Sequence, residues 1–478
     1  MIRFYTLLFL PLMLFGLPEL CLAEETSNAI KPLDLTSHWV GYLAIAIFSL
    51  AYILAMFEEV TELRKSKPMV LAASLIWVFI SSIYVSGNMN ELAGHSFRSA
   101  LEGFAELFLF IMVSMAYLNA MEDRGIFENL RIWLLSKNFS YRQLFWITGS
   151  MSFVLSSVCN NLTTALLMGA VVLAMGKDNK RFVTTACVNI VVATNAGGSF
   201  SPFGDITTLL VWQKGVVPFA SFYSLLAPAI VNFALPGIIM HFWIPKEQPA
   251  ASIEQPIMKR GAMTMIMLFL MTIVTAVCFE NFLKLPPAAG MLMGLTYLKF
   301  FSYYLQITPS KLATDKPLSI DTMDVPVVGE SQAFDVFEKV AHLEWDTLLF
   351  FYGVMMSVAG LSFIGYLGFA SSFLYGTIDP TIANTLVGIF SAFIDNGTIM
   401  YAVLTMHPEI SQGQWLLVTL TAGVGGSLLA IGSAAGVGLM GQAKGIYTFS
   451  SHLKWMPVIL LGYFGSIGVH FLINSRYF

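Results

Sequence analysis

Two aspartates stand inside long apolar stretches. Asp205 closes the run Asn195-Ala-Gly-Gly-Ser-Phe-Ser-Pro-Phe-Gly-Asp205, and Asp395 opens Asp395-Asn-Gly-Thr398. A carboxylate at the centre of a bilayer costs on the order of 2.5–3.5 kcal/mol on insertion scales, so it is kept for function more often than for packing. The plainer reading is a carboxylate capping the end of a half-helix. A buried carboxylate holds either a proton or a cation, and where the two compete, binding one expels the other. The same segments carry the hard oxygen ligands that a dehydrated Na⁺ needs: the amides of Asn160, Asn161, Asn195 and Asn396 and the hydroxyls of Thr163, Ser199, Ser201 and Thr398. Backbone carbonyls are freed where Gly197, Gly198, Gly204, Gly425, Gly426 and Gly432 break the helices, and half-helix C-terminal ends would add negative dipole. Na⁺ is therefore expected at Asp205 and Asp395. Glu106 is read as a proton-path residue or a packing partner, while Glu102 and Asp346 sit near enough to span ends to be solvated.

Such groups need a membrane-embedded scaffold. Of the 478 residues 56% are hydrophobic and 11% charged, with a mean hydropathy of +0.73. That balance excludes a water-soluble globule and makes the lipid bilayer the chain's main partner. The net charge of −4 offers no basic field for nucleic acid. Apolar runs of roughly 17–25 residues recur, each long enough to cross about 30 Å of hydrocarbon. The fold expected is an all-α polytopic membrane protein of about 10–11 transmembrane helices, with early spans at 39–57, 69–86 and 100–121. Residues 1–23 read as a signal peptide cut after Ala23, or else as an uncleaved first span. Cys159, Cys187 and Cys278 lie in hydrophobic segments and Cys21 in the leader, so neither a disulfide framework nor a metal cluster is indicated.

Basic loops orient the spans. Arg64, Lys65 and Lys67, then Arg124, Arg131, Lys137 and Arg142, mark cytoplasmic faces. The apolar block 144–175 is interrupted by Cys159-Asn160-Asn161, has basic residues at both ends and is too short for two crossings. It reads as a re-entrant hairpin, followed by a broken helix over 182–212 and a span at 224–244. Residues 245–343 link the halves through spans 261–279 and 287–306 and a cytoplasmic loop, 307–343, bearing Lys311 and Lys316. A second hairpin, 380–406, and a second broken helix, 414–441, follow.

The halves 39–244 and 344–473 repeat one another. Glu106 matches Asp346, Gly125 matches Gly365, and Asn161-Leu-Thr163 matches Asn396-Gly-Thr398. Gly197-Gly-Ser199 and Gly204-Asp205 match Gly425-Gly-Ser427 and Gly432-Ser433. Lys214-Gly215 matches Lys444-Gly445, and His241-Phe242 matches His470-Phe471. The two histidines, at symmetric span ends, read as structural. The third span runs inward whereas its counterpart starts beside the cytoplasmic loop and runs outward, so the repeats are inverted. Inverted repeats with discontinuous segments in corresponding places mark an alternating-access transporter with its site between the breaks.

Rival readings differ in the charge they tolerate. A Na⁺-coupled carrier of dicarboxylates or other anions would avoid fixed carboxylates beside its substrate, whereas a metalloid efflux permease, moving neutral hydroxylated solutes, is less constrained. An intramembrane aspartyl protease would need Gly-x-Gly-Asp, and Pro202-Phe-Gly-Asp205 has proline where the first glycine belongs. No ATP-binding P-loop pattern occurs. The chain is read as a transporter, not an enzyme, and needs no cofactor beyond the ions it moves.

Three motifs carry a family resemblance. Cys159-Asn-Asn-Leu-Thr-Thr164, Asn195 to Thr208 with its Ser-Pro-Phe-Gly-Asp core and Trp212 beyond it, and Asp395-Asn-Gly-Thr398 resemble the NhaD-type Na⁺/H⁺ antiporters of the ion transporter superfamily. The resemblance runs from about residue 39 to the end. It implies exchange of Na⁺ or Li⁺ for H⁺ across a bacterial inner membrane, a role in pH homeostasis, an elevator-type fold related to dicarboxylate carriers, and a homodimer. The wider superfamily has Ser-Asn-Thr hairpin tips. The tips here, Asn160-Asn161-Leu-Thr163 and Asp395-Asn396-Gly-Thr398, depart from that pattern and suit a cation.

Overall fold

The computed structural model describes residues 32–137, 139–176, 179–248, 258–308, 340–341 and 343–478. The segment 1–23 and most of the loop 307–343, with Lys311 and Lys316, lie outside the described residues. Every regular element among the described residues is helical. Lipid offers backbone N–H and C=O groups no partner, and a helix satisfies them within its own segment.

The chain opens with α1 (Trp39–Met56) and α2 (Ser66–Ser86), and continues into α3 (Asn90–Asp123) and a short α4 (Ile126–Ser136). The first hairpin is α5 (Tyr141–Ser156) and α6 (Asn161–Met175). The first broken helix is α7 (Lys180–Gly198) and α8 (Ile206–Gln213). A 3₁₀ turn, Phe219–Leu225, leads into α9 (Leu226–His241). The linking helices are α10 (Ala262–Leu283) and α11 (Pro287–Ile307). The order of elements then recurs. A long helix, α12 (Trp345–Phe363), and a short one, α13 (Tyr366–Gly376), precede a hairpin of α14 (Pro380–Phe390) and α15 (Asn396–Met406). The second broken helix is α16 (Gln412–Gly425) and α17 (Ala434–Gln442), followed by short α18 (Phe449–Leu453) and α19 (Met456–Asn474).

Seven helices among the described residues are long and apolar enough to cross a membrane: α1, α2, α3, α9 with its preceding turn, α10, α12 and α19. The expectation of ten to eleven spans counted α11 and each broken helix as a crossing. The pieces α8, α16 and α17 have 8, 14 and 9 residues and are too short to span alone. Helix α3 has 34 residues, well beyond the 100–121 expected, because its polar first turns continue the helix up to Asn90.

Side-chain caps mark every half-helix that starts at a break, though they are not confined to the breaks. The long helices α2, α3, α10, α11 and α12 start without a side-chain cap. At the breaks, by contrast, Asn160, Asp205, Asp395 and Ser433 each accept a backbone N–H of the half-helix that follows. A helix end away from water must find its partner in the protein.

Packing divides the helices into two groups. Helix α2 packs along α12 and α1, and α10 along α11, which in turn packs on α3. In the other group each hairpin lays its first arm on its own broken helix (α5 on α7, α14 on α16) and its second arm on the other half's (α6 on α17, α15 on α8). The approach is so close that a Cβ at Gly197 would collide with the Phe153 carbonyl, at Gly204 with the Ser156 carbonyl and at Gly425 with the Gly388 carbonyl. Gly426 and Gly432 also pass each other too closely for a side chain within the second break.

Candidate functional site

Asp205 stands where the two hairpin tips and the first break converge. It is 8% exposed. Its Oδ1 accepts the backbone N–H of Thr207 at 3.2 Å, which caps α8. Its Oδ2 accepts two amides at once, from Asn161 Nδ2 at 3.0 Å and from Asn396 Nδ2 at 2.9 Å. Asn161 is the first residue of α6 and Asn396 the first of α15, the paired positions of the internal repeat. Equivalent residues of the two halves thus meet on one carboxylate oxygen.

Asn161 is held in turn. Ser156 Oγ lies 2.7 Å from Asn161 Oδ1 and 2.8 Å from the Thr194 carbonyl, so the hydroxyl ties the amide to α7. Asn396 has no such holder; its Oδ1 accepts the N–H of Gly397. Ser391, which matches Ser156, bonds the Gly388 and Ala422 carbonyls instead. Reading the sequence by single residues missed both serines. The signal was there as Ser156-x-x-x-x-Asn161 and Ser391-x-x-x-x-Asn396, the same spacing before each tip.

Asp395 has a different setting. It caps α15, its Oδ2 accepting Thr398 N at 3.2 Å and Thr398 Oγ1 at 3.3 Å, and its own N–H donates to Tyr52 on α1. It is half-buried and within electrostatic reach of Asp205. Both acids are therefore caps, as the plainer reading had it, and Asp205 is something more. Both sit at N-terminal, positive helix ends, where Asp is a preferred N-cap and a negative charge is stabilised, and Asp205 also lies beside Gly198, the C-terminal end of α7.

The other expected ligands are spread around this centre. Asn195 reaches across to the second break, donating to Ser433 Oγ at 3.0 Å, and its Oδ1 is buried without a hydrogen-bond partner among the described residues. Asn160 caps α6 through Thr163 N. Gly198 lies against Asn161 Oδ1 and Asp205 Cβ, so a side chain there would displace the carboxylate. Ser201 accepts Phe203 N, and its carbonyl accepts Thr208 Oγ1. Ser199 turns back on the Ala196 carbonyl and packs against Gly423. Glu106, in mid α3, is half-buried and sits in the field of Lys214 and Glu102. Asp346 accepts Ser66 Oγ across the α2–α12 contact. His241 accepts from Trp146, and His470 bonds the Gly413 carbonyl.

An all-helical, multi-span chain with two broken helices and two hairpins converging on a buried carboxylate is a membrane transporter, not an enzyme. It belongs to the CitMHS citrate transporter family, whose profile matches residues 52–423, and within it to the NhaD Na⁺/H⁺ antiporters. It is 53% identical over 466 residues to the Na⁺/H⁺ antiporter NhaD of Alkalimonas amylolytica, covering 96% of both chains. It is 50% identical over 478 residues to the NhaD of Halomonas elongata, covering 99% of this chain and 95% of the other. A plant relative, sodium/proton antiporter 1 of Arabidopsis thaliana, is 26% identical over 446 residues, 90% of this chain and 72% of that one. Among solved structures the YdaH transporter of Alcanivorax borkumensis matches with a TM-score of 0.52 at 11% identity, covering 86% of this chain and 99% of the other, a likeness of fold.

Proposed function

We infer that the protein exchanges Na⁺ or Li⁺ for H⁺ across a bacterial inner membrane by alternating access, with Asp205 as the group for which the ions compete. The convergence of Asn161 and Asn396 on Asp205 Oδ2 is the observation that carries this reading. A carboxylate shared by both hairpins feels any change at either one, and a cation taken at Oδ2 must turn both amide donors away. Rotating each amide end for end presents Oδ1 to a cation at Oδ2. Ser156 can follow Asn161 through that rotation, since a hydroxyl accepts as readily as it donates. Proton and Na⁺ then compete for one oxygen, and Asp395 contributes negative potential beside it. Asn195 Oδ1 and the Thr164 hydroxyl, buried oxygens without a hydrogen-bond partner among the described residues, are further candidate ligands within the block.

The family profile is named for citrate, yet an anionic substrate beside Asp205 and Asp395 would meet like charges. Cation exchange is favoured for that reason. The hairpins and broken helices, interleaved between halves, suit a carrier that moves as one body against α1–α3 and α10–α12. Ten crossings result if α11 and each broken helix span once, with the halves inverted as the basic loops indicate. A homodimer accords with the resemblance to NhaD-type antiporters.

Everted membrane vesicles test this directly. Na⁺ added to respiring vesicles collapses the pH gradient in the native protein; Asp205→Asn, at equal protein level, abolishes the response, and Asp395→Asn weakens it. Undiminished exchange in Asp205→Asn would sink the assignment, and citrate uptake without any Na⁺-driven pH signal would favour an anion carrier.

A further inference from the structure

A groove of about 470 Å³ opens between α2, the start of α3 and α12. Its walls are apolar and small: Ala73, Ala93 and Gly94, with Trp77 set edge-on against Phe97 at 5.2 Å. Three hydrogen-bond donors also line it: the guanidinium of Arg98 and the hydroxyls of Ser81 and Tyr352. None of the three makes a hydrogen bond or ion pair among the described residues, although Arg98 is one turn from Glu102. Phe97 meets α2 at Trp77, near the middle of that 21-residue span, while Arg98 lies on the polar first turns of α3 and is exposed, and Ser81 and Tyr352 are half-buried, so the groove has a polar lip beside an apolar wall. An unpaired cation and two unpaired hydroxyls at such a lip suit an anionic partner.

We propose that this groove holds an anionic phospholipid, its phosphate on Arg98, Ser81 and Tyr352 and an acyl chain along Ala73, Gly94 and Trp77. One ligand of that chemistry meets both demands of the site. Phosphate oxygens satisfy all three donors and neutralise the guanidinium, whose flexible stem rises toward the headgroup level. The acyl chain lies along the apolar wall that Trp77, Val78 and Met356 provide. The groove joins α2, α3 and α12, so an occupant there would brace the helices against which the hairpins move.

The test uses the full-length protein in neutral detergent, with phosphatidylglycerol or phosphatidylcholine of identical chains added, read by lipid retention in native mass spectrometry and by thermal stability. Phosphatidylglycerol is expected to be retained in preference and to raise the melting temperature. Arg98→Gln lowers that retention about tenfold, the worth of one charged hydrogen bond, and Arg98→Lys recovers part of it. Gly94→Trp, which meets no protein atom within 4 Å at its Cβ, blocks the trough without disturbing the fold and removes retention of both lipids. An equal response to the two lipids, or retention unchanged in Arg98→Gln and Gly94→Trp, overturns the proposal. So does a change from dimer to monomer in Gly94→Trp with lipid retention intact, which would give the groove to a second copy of the chain.

Discussion

Asn396 Nδ2 stands 2.9 Å from Asp205 Oδ2, joining the tip of the second hairpin to the break of the first half across 191 residues. The contact makes the proposed exchange site a joint between halves. A movement that pulls α15 from α8 must first break it, so the occupant of Asp205 and the position of the hairpin are linked.

Replacing either amide loosens that joint. Asn161→Ala and Asn396→Ala each remove one charged hydrogen bond, worth about 1.5–3 kcal/mol, and each is expected to raise the Na⁺ concentration for half-maximal exchange about tenfold. Acting on the same oxygen, the two changes combine non-additively. Vesicle titrations of both single variants and the double variant check this; strictly multiplicative effects would show that the amides act apart.

Competition for one carboxylate fixes the sign of the pH dependence. With Asp205 as the proposed shared site, the half-saturating Na⁺ concentration is expected to rise as pH falls, approaching tenfold per unit where one proton competes with one ion. The maximal rate at saturating Na⁺ changes less. Rates measured over a matrix of pH and Na⁺ distinguish this from a pH effect on the maximal rate alone, which would contradict a shared site.

Ser156 and Ser391 hold equivalent backbone carbonyls but differ at the tip. Each bonds the broken helix beside it, to Thr194 and Ala422, and loss of either hydroxyl leaves a buried carbonyl short of a partner, at a cost of about 1–3 kcal/mol. Melting temperature should fall in both alanine variants. Only Ser156→Ala should also alter Na⁺ affinity, because only Ser156 reaches the tip asparagine. Equal effects of the two on exchange would remove Ser156 from the site.

The glycines of the breaks answer to packing, not to turn conformation. Alanine at Gly197, Gly204 or Gly425 drives a methyl into a neighbouring carbonyl and is expected to cost about 1–3 kcal/mol or more, seen as lost expression or a lower melting temperature. Gly441→Ala, at an open position, serves as the neutral control.

The sequence by itself determined the membrane class, the two hairpins and breaks and their repetition, and the acids they carry. Hydropathy, Asn and Asp caps and Gly-Gly-Ser runs act locally, over a few residues, and so can be read in order along the chain. It also placed the expected Na⁺ at two acids, Asp205 and Asp395, one from each half but on different elements. What surrounds each acid was decided by the tertiary structure. Asn161 and Asn396 gather on Asp205 alone, whereas Asp395 is left with Thr398 and the N-terminal end of α15. The physical reason is the crossing of hairpin arms between halves, which brings Asn396 to the first break while Ser433, the repeat partner of Asp205, meets Asn195 instead. Which residue of one half faces which of the other is set by the packing of surfaces far apart in the chain, and no local pattern encodes it. Reading the acids as caps was correct as far as it went; what a cap does beyond its own helix depends on the neighbours the fold delivers.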